Sequence, residues 1–398
     1  MIATSALDER MREELRRIGR ADLVVGIPSY NNASTVGHVA RAVSTGLRGA
    51  FPGQRCAIVN SDGGSADGTV AAVVENAGEV PVVAGAYLGP PGKGSALRAV
   101  FECAAVLGAR AGACVDSDLR SITPEWVRRL LEPVVDARAD YVTPLYARHK
   151  HDGTITNKIA YPLTRALYGV RIRQPIGGEF GFSGELARRF LAGTAWKGAD
   201  AEAAWGGDVA RFGIDIYMTT TALVSGARVA QAFLGAKIHD PKDPGADLAP
   251  MFSEVVGTLF RLAAANEAHW RAVSGSVDAR LIGDVTPVEP EPVSASADTL
   301  RRKHEAGTRE HGAVWEEVLG RRPGVLGARE WAAAVYGFLA ASRRDPERVD
   351  RYVAALVPLY FGRVARFIED AAGLDTAGAD GLVEEQALAF EELKGRLP

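Results

Sequence analysis

Cysteine is scarce in this chain of 398 residues, and the three present, Cys56, Cys103 and Cys114, stand singly in apolar surroundings with no CxxC or Cys/His spacing. That argues against a disulfide framework or a cysteine-built zinc site and predicts buried, reduced thiols in a cytoplasmic protein. Net charge is scarce as well. A formal value of -3 at pH 7 offers no broad basic field to a polyanion, so nucleic acid is not an expected partner. No segment approaches the roughly 18 uncharged apolar residues that a bilayer crossing needs, and the opening MIATSALDERMREELRRIGR lacks the apolar core of a secretory signal. A soluble protein without a membrane span is expected, and there is no internal repeat and no long low-complexity tract.

What is present is ordinary globular composition, 47% hydrophobic and 24% charged, with length for one large domain and a smaller one. From residue 22, short β-rich runs alternate with longer runs of helical spacing, the pattern of βαβ units and a mainly parallel sheet. DLVVGIPSY, QRCAIVNSD, PVVAGAYL and AGACVDSD predict four strands. STVGHVARAVSTGL, with Ser34 as cap, SADGTVAAVVENAG and GSALRAVFECAAVLG predict the helices between them. ADYVTPLYA and IDIYMTTTALVSG continue the domain, and RVAQAFLGAKIHD is its last strand, ending near His239. The expected division is a helix over 1–20, an α/β domain over 21–245, and a helical region over 246–398 with a Pro-rich linker near 284–298.

In a doubly wound sheet, ligands collect beyond the carboxyl ends of the strands, and the conspicuous polar clusters fall there. Asp116-Ser117-Asp118 closes the fourth strand; residues i and i+2 of an extended chain share a face, so both carboxylates can approach one point. Either a hard cation such as Mg²⁺ or Mn²⁺ neutralises them and bridges phosphate oxygens, or Asp118 caps the helix that starts near Thr123-Pro124. NSDGGSADGT ends the second strand with Asp62 and two glycines, a turn that lets backbone approach a base or ribose, with Asp67 a candidate helix cap. Lys93 lies between glycines before a helix N-terminus, an anion-friendly place, although the spacing is not that of a P-loop; the alternative is an exposed loop lysine.

VVGIPSYNNASTVGHVARAV, VNSDGGSADGT, GKGSALRAV and VDSDL occur in the order and at the separations of the GT-A glycosyltransferases, which these segments resemble. DGTITNKIAYPLTRALYGVRIRQPIGGEFGFSGELARRF, FGIDIYMTTTAL and RVAQAFLGAKIHD look like the retaining glucosyl-3-phosphoglycerate synthases and, more distantly, mannosylglycerate synthase. The resemblance spans about residues 20 to 242. It implies a GT-A fold, Mg²⁺ or Mn²⁺, and a nucleotide-sugar donor such as UDP-glucose or GDP-mannose. Pro28, Ser29, Asn31 and Asp62 match positions that meet the nucleoside, with Asn32 where relatives carry an acid. Lys93 matches a lysine near the diphosphate, with Asp116 and Ser117 beside it, and Asp118 and His239 match metal ligands. Gly177, Gly178 and Glu179 stand where relatives hold sugar hydroxyls, with a cap of the next helix as the lesser alternative for Glu179. Asp215 matches an acid next to the acceptor or is a helix-start carboxylate.

For a small anionic acceptor, glycerate or 3-phosphoglycerate, the resemblance points to Gly153, Thr154 and Thr156, with Lys158 nearby and Arg148 in the basic run Arg148-His149-Lys150-His151. That run either supplies the phosphate partner or is a solvated loop, because the arginine that relatives carry in this loop is missing. The implied chemistry is transfer with retention by front-face attack, the metal on Asp118 and His239 and the Lys93 ammonium stabilising the departing diphosphate. Competing readings are an inverting family-two transferase acting on a polysaccharide or lipid, a nucleotidyltransferase, and a nucleotide-sugar binder without turnover. A homodimer through the helical region is implied by relatives with similar extensions.

Overall fold

Seven consecutive buried residues, Leu23–Ser29, make the first strand, β1, and such a run belongs to a strand covered on both faces. In the computed structural model, which describes residues 5–193, 196, 204–238, 244–286 and 288–397, it is a central strand of a large mixed sheet. The others are β2 (Cys56–Asp62), β3 (Val82–Ala86), β4 (Ala111–Cys114), β5 (Tyr141–Ala147), β6 (Val170–Arg171), β7 (Phe180–Ser183), β8 (Val229–Ala236), β9 (Val277–Asp278) and β10 (Arg280–Ile282). The large sheet runs β10-β8-β5-β7-β4-β1-β2-β3, and β6 pairs with β9 apart from it. Every neighbour in the large sheet is parallel except β7, which is antiparallel to both β4 and β5.

The helices are α1 (Glu9–Ile18), α2 (Ala33–Ala50), α3 (Thr69–Asn76), α4 (Lys93–Val106), α5 (Pro124–Val135), α6 (Tyr161–Tyr168), α7 (Gly184–Ala192), α8 (Ala204–Ala210), α9 (Ile214–Val224), α10 (Pro244–Ala265), α11 (Glu267–Ala272), α12 (Ala297–Leu319), α13 (Ala328–Arg344), α14 (Val349–Asp370) and α15 (Thr376–Leu393). The chain folds into two units. One comprises Met1–Ala147, Ile176–Lys242 and Ala279–Val288, the other Arg148–Pro175, Asp243–Asp278 and Glu289–Pro398. The division therefore differs from a single boundary at residue 245: residues 148–175 fold with the helices, and 279–288 return to the sheet as β10.

In the first unit, Val25, Ile27, Val39, Val43, Val127, Leu130 and Leu131 belong to one apolar cluster between the sheet and its helices. Helix α5 shows why: Pro124 sits at its first position, where a missing N–H costs nothing, and Trp126, Val127, Leu130, Leu131 and Val134 repeat at helical spacing on the buried face. Helix α2 begins one residue before Ser34, so Ser34 is not its cap. Asn32 holds that position, and Asp67 Oδ2 accepts the Ala33 amide at 3.0 Å. The other oxygen of Asp67 accepts the Thr69 amide at 3.1 Å, so one aspartate serves the starts of both α2 and α3.

In the second unit a π-helical turn, Thr156–Ala160, leads into α6. Trp315, Trp331 and Tyr360 are fully enclosed among its helices, and Phe252 stacks on Tyr360 with ring centroids 4.4 Å apart. Among the described residues, Leu248–Ala265 of α10 is the one window that by length and composition alone could cross a membrane. It carries Glu254 and Arg261, and half of it is buried within the protein.

Candidate active site

The parallel strands β1, β2, β4, β5 and β8 deliver their carboxyl ends to one rim, and the antiparallel β7 starts there, because Phe180 pairs with Cys114 at the end of β4. Residues 177–179 thus reach the same rim as Asp116. In the sequence GGEFGF reads as a ligand segment and not as a strand, because four residues with two aromatics are too short for a periodicity to show.

An ion cluster occupies this rim. Lys93, first residue of α4, lies 2.9 Å from Asp116 Oδ1 and 3.4 Å from Asp215 Oδ1, and its ammonium is 3.4 Å from the Gly178 carbonyl oxygen. Lys237, just past β8, donates to Asp116 Oδ2 at 2.9 Å, to both Glu179 oxygens at 2.9 Å and to the Gly177 carbonyl at 3.1 Å. The Tyr146 hydroxyl donates to Glu179 Oε2, and the Asp116 amide to Glu179 Oε1 at 3.4 Å. Burial, then the neighbouring Asp116 charge, pushes the Glu179 carboxyl up to about 7 against the pull of Lys237 and Lys93. Burial also raises Asp215, with Lys93 opposing. For Lys93 burial acts downward, and Asp116, Asp215 and Glu179 outweigh it, so its ammonium is held firmly charged.

Lys237 and Tyr146 were missed in the sequence. A lysine at a strand end is ordinarily a solvated residue, and only its burial against two carboxylates reveals it. The expected helix-terminus anion site beside Lys93 is also altered. The Gly92 amide bonds the Tyr87 hydroxyl at 2.9 Å and the Gly94 amide the Arg211 carbonyl at 3.2 Å, so these two donors already have protein partners. Glu179 caps nothing; Ser183 caps α7. Being fully buried with both oxygens engaged, Glu179 does not present an edge to a sugar.

At the ends of β1 and β2, Ser29 pairs in register with Asp62. Asp62 Oδ1 accepts the hydroxyls of Ser29 and Ser65, each at 2.7 Å, while Oδ2 accepts the amides of Gly64 and Ser65 at 2.8 and 2.6 Å. Its carboxylate organises the Gly-rich turn instead of standing free for a ligand. Asn31 adopts φ +53° and joins this turn through its amide, 2.7 Å from Ser65 Oγ. Pro28 lies within buried β1. Beside them Tyr30 is 63% exposed, an aromatic face over Gly63 that the sequence reading passed over.

Asp118 does not cap α5, whose cap position is Thr123. Half-buried on the loop after β4, its carboxylate has no ion-pair or hydrogen-bond partner among the described residues, unlike Asp116 two positions earlier. The loop is tied to its surroundings: Ser117 Oγ donates to Asn32 Oδ1 at 2.8 Å, and Thr35 Oγ1 to the Ser117 carbonyl at 2.9 Å. Ile238, at the end of the segment after β8, accepts from the Arg120 amide at 2.9 Å and donates to Ser121 Oγ at 2.9 Å. His239 lies outside the described residues. Among those described, no group of three or more His, Cys, Asp or Glu side chains is arranged to hold a metal alone. The donor set that remains, one carboxylate without a partner, suits a hard cation that takes its other ligands from a diphosphate.

The acceptor candidates are in the second unit. Arg148 pairs with Asp152 at 3.0 Å beside Gly153, and Thr154 Oγ1 is 2.6 Å from the Tyr360 hydroxyl. Thr156 is buried, and Lys158 is fully buried with its Nζ 2.9 Å from the Phe367 ring centroid. Burial, with Arg363 and Arg173 adding to it, drives the Lys158 ammonium well below the ordinary lysine range. A lysine so enclosed does not fit the expected contact with a dissolved acceptor. Lys150 donates to the carbonyls of Ala371 and Leu374 at 2.9 and 2.7 Å, so the basic run is not simply solvated.

Residues 24–189 match the family model of glycosyl transferase family 2. The match contains Asp62, Lys93, Asp116, Asp118 and Glu179 and ends before Asp215 and Lys237. No curated protein matches the chain. Among solved structures it is similar to glucosyl-3-phosphoglycerate synthase from Mycobacterium tuberculosis. The complex with Mn²⁺, UDP and glucosyl-3-phosphoglycerate is 22% identical, with 63% of this chain and 83% of that chain covered and a TM-score of 0.46. The complex with Mg²⁺ and UDP is 22% identical, covering 65% and 85% at 0.46. The complex with Mn²⁺ and UDP-glucose is 21% identical, covering 64% and 84% at 0.47. With the family match, the eight-stranded sheet and its flanking helices are a GT-A-like α/β fold, accompanied by a helical C-terminal region.

Proposed function

We propose that this protein is a metal-dependent hexosyltransferase that moves glucose or mannose from a nucleotide-sugar, UDP-glucose or GDP-mannose, to glycerate or 3-phosphoglycerate. The observation that carries the reading is the Asp118 carboxylate, without an ion-pair or hydrogen-bond partner among the described residues and two positions after the Asp116 that pairs with Lys93, on the carboxyl rim of a sheet whose residues 24–189 match a glycosyltransferase family. Mn²⁺ or Mg²⁺ on Asp118, with His239 as second ligand, supplies charge stabilisation to a departing diphosphate. Lys93 adds a fixed ammonium to the same leaving group. Tyr30 offers a flat face for the base beside the turn that Asp62 organises.

Retention by front-face attack is part of the proposal. It is supported by the engagement of both Glu179 oxygens, which leaves that carboxylate unsuited to act as a nucleophile on the sugar. The family 2 match favours a second reading, inversion with Asp215 as base on a polysaccharide or lipid acceptor, and the anomeric coupling of the product by proton NMR decides between them. Contacts of the acceptor with Arg148 and Gly153 rest on the resemblance alone, as does a homodimer. A cytoplasmic setting is supported by three free cysteines, two of them buried.

The test is calorimetry of UDP and GDP with and without Mn²⁺, followed by turnover of both donors with glycerate and 3-phosphoglycerate. The expected outcome is metal-dependent nucleotide binding that Asp118→Ala weakens by at least about tenfold, the size of effect seen when a group contacting a bound metal is lost. Nucleotide binding that is absent, or indifferent to both metal and Asp118, rejects the proposal.

A further inference from the structure

Lys237 is the most enclosed cation of the rim, its side chain 7% exposed, and its ammonium faces four oxygens: Asp116 Oδ2, both Glu179 oxygens and the Gly177 carbonyl. Three N–H donors spread over those acceptors leave none for a ligand. Glu179, fully buried, is itself braced by the Tyr146 hydroxyl, and the Tyr146 ring rests near Trp126 with centroids 5.3 Å apart. The pair grips Asp116 twice, Glu179 through the Asp116 amide at 3.4 Å and Lys237 through Oδ2 at 2.9 Å. The remaining oxygen, Oδ1, is left to Lys93.

A buried ion cluster is a poor device for stability, since apolar residues of similar volume hold a fold as well or better. What it supplies is geometry, set by contacts to the amide and both oxygens of Asp116 at the place where the chain runs from β4 to Asp118. We infer that Lys237, braced by Glu179 and Tyr146, is a positioning residue that orients Asp116, and through it Lys93 and the Asp118 loop, toward the diphosphate of the donor. This rests on the proposed nucleotide-sugar reading of the same rim. It gives Glu179 a role beneath the site in place of a contact with sugar.

The experiment measures the Kd of UDP–Mn²⁺ by calorimetry, kcat with the active donor, and Tm, for the full chain and four variants. Lys237→Met/Glu179→Gln removes both charges together and so leaves no buried ion without its partner. Lys237→Met removes one, Lys237→Arg keeps the charge and changes the reach, and Tyr146→Phe keeps the ring and removes the hydroxyl that braces Glu179. UDP–Mn²⁺ binding is expected to weaken by about 10- to 100-fold in the double variant and in Lys237→Met, the range typical for residues that orient metal or ligand groups. Lys237→Arg is expected not to restore it, and Tyr146→Phe to lower kcat severalfold at nearly unchanged Tm. A merely structural role shifts Tm and leaves the Kd and kcat of the folded protein alone, and that result overturns the inference. So does wild-type binding by Lys237→Arg, which reduces Lys237 to a point charge. Should the double variant fail to fold, Lys237→Arg and Tyr146→Phe decide alone. Absence of UDP–Mn²⁺ binding by the unmodified chain defeats the nucleotide-sugar reading itself, a distinct outcome.

Discussion

A methyl group on Gly178 would lie 2.6 Å from Asp116 Oδ2 and 2.7 Å from Lys237 Nζ, on a backbone at φ +101° that L side chains rarely adopt. Gly178→Ala must therefore either push the ion cluster apart or move the backbone, at about 1–3 kcal/mol for the strained conformation alone. At about 2–4 °C per kcal/mol for a domain of this size, Tm falls by several degrees in a thermal melt, and UDP–Mn²⁺ affinity falls with it. A variant with both values unchanged would show that the close approach is not needed. The residue type was visible in advance, since a glycine pair before an acid suggests a close approach by something. What it approaches was not visible: the sequence reading looked outward to a sugar, and the structure shows the approach made by Asp116 and Lys237 from within. The same limit applies along the rim. Asp118 could be singled out because two carboxylates at a strand end demand an explanation. Asp62 could be singled out too, but its four accepted hydrogen bonds arise from a turn geometry that residue types do not encode.

Between elements, Asp67 does more than a cap read from sequence would. One oxygen accepts the Thr69 amide at the start of α3 and the other the Ala33 amide at the start of α2, so a single carboxylate joins two loops of the rim. The Thr69 hydroxyl, then the Ala33 amide, holds its pKa below the ordinary aspartate value. Because the folded state prefers the ionised form, the stabilisation is complete above the unfolded value of about 4 and drains away as the pH falls below it. Asp67→Ala is accordingly expected to lower Tm at pH 7, and the gap to the unaltered protein should narrow as melts are taken below about pH 4. A gap that stays constant with pH would assign the loss to packing instead of to the charge. Parallel strands with continuous apolar runs and the helices between them could be read directly, because burial on both faces leaves a simple pattern. The antiparallel β7 could not, since its place between β4 and β5 depends on non-local pairings, Cys114 with Phe180 and Val142 with Gly181.

At the scale of the whole chain, the boundary expected near residue 245 rested on a change of composition, and composition follows helix content more closely than it follows which residues fold together. The chain passes between the two units at 147/148, 175/176, 242/243, 278/279 and 288/289. Residues 148–175 contain α6, where Arg165, only 2% exposed, takes its counter-charges from Glu384 at 2.7 Å and Glu391 at 3.0 Å on α15. Tyr161 likewise donates to Glu384 at 2.6 Å. In the sheet, β8 is flanked by β10, whose residues 280–282 also come from beyond the expected boundary. A chain cut after residue 245 would therefore lose an outer strand of the sheet and strip α6 of α15, which packs on it and supplies both carboxylates paired with Arg165. The expected result is that residues 1–245 expressed alone collect in the insoluble fraction, or show no cooperative melt by circular dichroism, while the full chain unfolds cooperatively. A soluble 1–245 fragment that melts cooperatively and binds UDP–Mn²⁺ would instead make the sheet self-sufficient, and the return of residues 279–288 to it dispensable.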